Sequence, residues 1–272
     1  MTDILALSAL DQSDALARGT ISAAELMEAT LARVSAVNGR VNAVVSLRDA
    51  DDLMAEARAA DAAPRSGWLH GMPLAVKDLA NAAGLPTSMG SPIFAGQVAA
   101  QDDVHIARLR AAGAIVIGKT NTPEFGLGSH SFNPVHGLTR NPYDSGLSAG
   151  GSSGGAGAAL ATGMVAVADG SDMMGSLRNP AAWNNVYGMR PSWGLVPSEP
   201  VADSFLHQLA TNGPMARSPR DLARLLDTMA GPDPRQPHGS LQAASWPQIT
   251  PGLSGARIGW LGDWGAAYAY ED

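Results

Sequence analysis

Between Leu147 and Asn185 the chain reads LSAGGSSGGAGAALATGMVAVADGSDMMGSLRNPAAWNN, two glycine- and serine-rich turns on either side of an apolar run. Such a block has three possible uses. Its glycines can let a helix and a sheet approach closely. Its backbone N–H groups, opening into a helix, can hold an anion. Or one of its serines can attack an electrophilic carbon, if a base takes the hydroxyl proton. The anion reading is poorly supported. A phosphate loop ends in Gly-Lys-Ser/Thr, and this block has no lysine. A dinucleotide turn wants GxGxxG and an acid about 20 residues on. Asp169 is near that distance, but it leads into the second Gly-Ser turn.

The usual base for a serine is histidine, and none lies close in sequence. A lysine serves if it is buried and neutral, because desolvation lowers its pKa. Lys77 ends the apolar run PLAVK, where a surface lysine is less expected. A strand-end lysine reaching solvent remains the other reading of this segment alone. The six histidines (His70, His105, His130, His136, His207, His238) form no HExxH or close ligand pair, so they read as surface or satisfied polar groups, and no metal is expected.

The elements that must position these residues alternate between strand and helix. Ser8 with Asp11 and Ser22 with Glu25 fit capping boxes, and Leu26, Leu31, Val34 and Val37 follow at helical spacing. Asn38-Gly39 reads as that helix's stop. Residues 42–47 read as a strand and 51–60 as a helix. MPLAVKD reads as a strand ending at Lys77-Asp78. VHIARLRAAGAIVIGKTN reads as a helix, a stop at Gly113 and a buried strand, 115–118. MVAVADG is a further strand, and Ser218 with Asp221 caps the last clear helix. A final strand is expected at 256–261 after a Pro/Gly-rich connection. This alternation is the pattern of an α/β protein.

Composition narrows the function. Of 272 residues 45% are hydrophobic and 16% charged, enough for a large buried core. The net charge of −7 comes with no basic cluster, so direct nucleic-acid binding is not expected. The absence of cysteine removes disulfides, thiolate metal sites and a cysteine nucleophile. No basic leader and no run of about 18 apolar residues is present, so a cytoplasmic protein without membrane contact is expected.

Five segments occur in order: GMPLAVKDLANAAGLPTSMGS, GKTNTPEFGLGS, TRNPYDSGLSAGGSSGGAGAALATG, DGSDMMGSLRNPA and GMRPSWGLVP. Together they closely resemble the amidase signature family of serine hydrolases. The resemblance implies a mixed central β-sheet flanked by α-helices, a small-molecule amide as substrate, and no cofactor. It implies a Ser–cis-Ser–Lys triad: Ser176 as nucleophile, Ser152 in a cis peptide as bridge, and Lys77 as base. Ser152 and Ser176 are 24 positions apart, as in the family. It further implies an oxyanion hole from the backbone N–H groups of Met173, Met174, Gly175 and Ser176. Asp172 would bond the turn's backbone, and Arg178 would anchor the segment behind the nucleophile. Ser153 would hydrogen-bond in the loop or, equally well on its own position, cap the helix that begins at Gly154.

Two departures stand out. The family usually has Gly-Gly before the nucleophile, and this chain has Met174-Gly175. An ordinary φ at Met174 is expected, with Met173 or Met174 lining an apolar acyl pocket. Members are also normally longer, so the chain reads as one domain, 1–272: a helical arm (1–65), a catalytic core (66–200) and the start of an incomplete C-terminal portion (201–272). Weak activity or low solubility is the expectation, with an exposed edge at 258–261 favouring a homodimer. The alternatives are the glutamine-hydrolysing subunit of a tRNA-dependent amidotransferase, which needs partner subunits, and a catalytically silent fragment.

Overall fold

The computed structural model describes residues 3–199, 209–236, 239 and 252–260. The chain opens with three helices, α1 (Ala9–Ala17), α2 (Ala23–Val41) and α3 (Ala50–Ala62), with the short strand β1 (Val44–Val45) between the last two. Ser22 and Glu25 close a full capping box on α2, and Ser8 Oγ accepts the Asp11 N–H. Helix α2 does not stop at Asn38-Gly39. It runs on to Val41 and turns at Asn42, which takes a left-handed φ of 52°. Asn38 stays helical and uses its side chain as a clamp. Its Oδ1 accepts the Ala43 and Val44 N–H groups, both at 2.9 Å, and its Nδ2 donates to the Val44 carbonyl.

Next come β2 (Pro73–Lys77), α4 (Val104–Ala111) and β3 (Ile115–Thr120), then the hairpin β4 (Phe132–Asn133) and β5 (Gly137–Leu138). Helix α5 (Gly154–Ala161) leads to β6 (Val167–Asp172), α6 (Arg178–Trp183), β7 (Tyr187–Gly188), β8 (Thr211–Ala216) and α7 (Pro219–Met229). Strand β6 starts three residues later than the apolar run MVAVADG and carries through to Asp172.

The sheet structure is mixed. One ladder has the order β1-β3-β2, with β2 and β3 parallel and β1 antiparallel. The other has the order β6-β8-β7 and is antiparallel. Strands β2 and β6 pack against each other where the two ladders meet. Alternation along each strand divides the core between two faces. Leu74, Val76 and Val116 point to a cluster with Ile106 and Leu109 of α4 and Leu225 and Leu226 of α7. Ala75, Ile115 and Ile117 point the other way, to Met27, Leu53 and Leu160. Each such leucine, fully buried, contributes roughly 1.5–3 kcal/mol. Because Lys77 follows Ala75 by two, it projects to the same face as Ala75, where α5 begins.

The expected strand at 256–261 is not formed. Among the described residues, 256–260 have no strand partner, and Trp260 is 84% exposed; Leu261 lies outside the described residues. The edge expected to drive self-association is therefore not present over 258–260. Among the described residues no helix is long and apolar enough to cross a membrane.

Candidate active site

Strand β2 delivers Lys77 into the protein interior, where 1% of its surface remains exposed. Its Nζ lies 2.7 Å from Ser152 Oγ, 2.8 Å from Ser153 Oγ and 3.0 Å from Ser171 Oγ. Burial lowers the Lys77 pKa to about 7, against the opposing pull of the Asp169 and Asp172 carboxylates. Three hydroxyls suit both protonation states. The ammonium donates to all three; the neutral amine donates to two and accepts from the third with its lone pair.

Ser152 follows a cis peptide bond, Gly151–Ser152. Glycine is required before it: a Cβ on Gly151 would lie 2.8 Å from the His130 nitrogen and 2.9 Å from the Ser129 carbonyl carbon. The loop 126–131 thus presses directly on the bridge serine. Ser131 adds to this support. Its Oγ donates to the Ser152 carbonyl at 3.3 Å and accepts the Gly154 N–H at 3.0 Å. Ser153 occupies the N-cap position of α5, yet its side chain makes no cap bond. Its hydroxyl serves Lys77, and Ser131 caps the helix in its place.

Asp172, at the end of β6, organises the turn that carries Ser176. Its Oδ1 accepts the Gly175 N–H at 2.7 Å, and its Oδ2 accepts the Leu177 N–H at 3.1 Å. Arg178 closes a two-pronged pair on the same carboxylate, 3.0 Å from Nε and 3.1 Å from Nη2. Burial pushes the Asp172 carboxyl up, but the Arg178 hydrogen bond, the Gly175 and Leu177 N–H groups and the guanidinium charge outweigh it and bring it down to about 2. The Ser176 carbonyl accepts the Ser153 N–H at 3.1 Å, which ties the two serine turns together. Among the described residues no hydrogen bond joins the Ser176 and Ser152 hydroxyls, and such bonds commonly close only when substrate is bound.

Two expectations for this turn need correcting. Gly175 cannot offer its N–H freely to an oxyanion, because Asp172 takes it; Met173, Met174 and Ser176 carry the N–H groups left without a partner among the described residues. The methionines are also not pocket walls. Met174 keeps an ordinary φ and leaves the positive value, 118°, to Gly175. That turn throws Met174 outward, 84% exposed, with Met173 at 41%.

The sequence reading missed Ser131, Ser171 and Asp169. Asp169 Oδ1 accepts the Lys77 main-chain N–H at 2.9 Å, across the junction of the two ladders. Loop 123–134 forms an open cavity of about 410 Å³ walled by Pro123, Phe125, Leu127, Phe132 and Pro134, with Glu124, His130 and Asn133 as its polar members. A Cβ on Gly126 of this loop would sit 3.7 Å from Ser152 Oγ, so the loop that forms the cavity reaches the site.

A buried lysine on a cis serine, beside a second serine turn, is the arrangement of an amidase signature hydrolase. The family model described as Amidase matches residues 25–267, and the chain belongs to this family. It is 40% identical over 262 residues to the acylamidase of Rhodococcus erythropolis, covering 93% of this chain and 54% of that one. It is 42% identical over 243 residues to the indoleacetamide hydrolase of Bradyrhizobium diazoefficiens, covering 85% and 45%. A glutamyl-tRNA(Gln) amidotransferase subunit of Anaeromyxobacter sp. (strain K) is 39% identical over 255 residues, covering 92% and 51%. Among solved structures, a bacterial aryl acylamidase of the amidase signature family superposes with a TM-score of 0.82 at 32% identity, covering 88% of this chain and 50% of that one. The chain spans about half the length of the curated relatives it matches.

Proposed function

We propose that this protein hydrolyses carboxylic amides to acid and ammonia or amine through an acyl-enzyme on Ser176, in the cytoplasm. The observation that carries the reading is the buried Lys77 amine 2.7 Å from the hydroxyl of cis-peptide Ser152. Neutral Lys77 takes a proton from Ser152 as Ser152 takes one from Ser176, and Ser176 Oγ attacks the amide carbon. The negative oxygen of the tetrahedral intermediate faces N–H groups of the 173–176 turn. As that intermediate collapses, the relay returns the proton to the nitrogen, so ammonia or an amine leaves rather than its anion. Water then enters by the same relay and releases the acid.

The largely apolar cavity of loop 123–134 favours amides with an aliphatic or aromatic acyl group. This agrees with the names of the acylamidase and indoleacetamide hydrolase relatives. A second reading, the glutamine-hydrolysing subunit, is supported by the amidotransferase relatives at similar identity. The test is ammonia release from a panel of arylacetamides, aliphatic amides and glutamine, with Ser176→Ala as control. Release from apolar amides, lost in Ser176→Ala, supports the proposal. Release from glutamine alone supports the second reading, and no release from any amide by the folded chain sinks both.

A further inference from the structure

Next to Lys77 lies a buried polar chain that the triad does not use. Asp169 is fully buried and splits its carboxylate. Oδ1 accepts the Lys77 main-chain N–H, while Oδ2 faces His105 Nε2 at 3.5 Å. Among the described residues neither atom of that facing pair has a hydrogen-bond partner. His105, on α4, is 1% exposed, a buried polar group rather than a surface one. Its other ring nitrogen, Nδ1, lies 3.4 Å from Asn212 Nδ2 on β8. With the Asn212 amide nitrogen turned to the ring, Nδ1 accepts and the ring proton sits on Nε2, aimed at Asp169. A cavity of about 40 Å³, bordered by Lys77, Asp103, Asp169, Ser171 and Asn212, opens on the same chain.

We propose that Asp169 and His105 are positioning residues for Lys77. Asp169 fixes the lysine's backbone and sets a negative charge near its amine, and the His105 Nε2–H holds Asp169 in that orientation. An unpaired buried carboxylate oxygen is costly, and Oδ2 faces His105 Nε2 at 3.5 Å. The charges that face this group come from every neighbouring element: Lys77 from β2, Lys119 from β3, Asp103 at the start of α4, and Asp172 further along β6. The Asp169 carboxylate acts on both buried amines, Lys77 and Lys119, and is bonded directly to the Lys77 main chain.

The inference rests on Lys77 being the base, but its test does not depend on turnover. Lys77 and Lys119 are the only lysines in the chain, so lysine labelled with ¹³C and ¹⁵N gives two side-chain signals. In the wild type the Lys77 signal should titrate near pH 7. In Asp169→Asn, which keeps shape and removes charge, it should titrate about 1 unit lower, because an attracting anion has gone. His105→Ala should move it the same way by releasing Asp169, and His105→Gln, which restores an N–H donor, should return it toward the wild-type value. Ring-nitrogen shifts of His105 in the unmutated protein should report a proton on Nε2. Unchanged Lys77 titration in folded Asp169→Asn, or a His105 proton on Nδ1, overturns the proposal. If Ser176 proves inert while Lys77 titrates as described, the catalytic reading falls and the positioning pair stands.

Discussion

Ser153 Oγ lies 2.8 Å from Lys77 Nζ while the Ser153 main-chain N–H is bonded to the Ser176 carbonyl. One residue therefore holds the base with its side chain and the nucleophile's turn with its backbone. Its neighbour Ser152, 2.7 Å from the same amine, is the hydroxyl assigned to the relay. Ser152→Ala should lower kcat by roughly 10²–10⁴-fold, the usual worth of positioned proton transfer, with little change in KM. Ser153→Ala keeps the backbone bond and should lower kcat less. Equal losses in both variants would argue against a relay confined to Ser152.

The pH dependence follows from Lys77. Only the neutral amine accepts a proton, so kcat/KM should rise with pH through an inflection near 7 and then level. Stability has its own signature. The lysine's folded pKa is depressed, so between about 7 and its unfolded value near 10.4 the unfolded chain binds the extra proton, and stability rises with pH. The stability of wild type relative to Lys77→Met should therefore increase by about 1.4 kcal/mol per pH unit across that window. Urea unfolding at pH 7, 8 and 9 measures it; a constant difference would mean the amine is already solvated in the folded state.

Both lysines are interior groups. Lys119 donates to the Ala80 carbonyl and to Thr87 Oγ1, and burial lowers its pKa. An amine-reactive ester should leave both unmodified in the native protein and modify both in urea, a gain of two adducts by intact mass. Native-state labelling at Lys119 would contradict the packing of β3 against the 78–88 loop.

The Asp172 turn depends on Gly175. Its φ of 118° is one that side-chain residues rarely adopt, and Asn179, whose Nδ2 lies 2.7 Å from the site of a Cβ, would also have to shift. Gly175→Ala should cost about 1–3 kcal/mol of stability. It should also reduce turnover, since Asp172 would lose its grip on the backbone beside Ser176. A thermal midpoint equal to wild type would show the turn to be adaptable.

Much of this was legible from residue order. Buried strands announced themselves as apolar runs, PLAVK and AIVIGK, and serine caps marked α1, α2 and α7. The family resemblance pointed to Lys77 and Ser152, and the structure brings those two together. What failed did so for tertiary reasons. Asn38-Gly39 has the composition of a helix stop, but Asn38 bonds residues beyond the helix and lets it continue to Val41. ARIGWL alternates like a strand, yet among the described residues no strand lies beside 256–260 to receive it. Ser131, Ser171, Asp169 and His105 carry no local signal, because each gains its role only from strands and loops distant in sequence.

The central claim is that base, bridge and nucleophile assemble within these 272 residues. The direct measurement is intact mass after treatment with a fluorophosphonate, on wild type, Ser176→Ala and Lys77→Met. A single adduct on wild type, absent from Ser176→Ala and much slower to form in Lys77→Met, is the predicted result. A folded wild-type chain that takes no adduct, or an adduct that persists in Ser176→Ala, would contradict it.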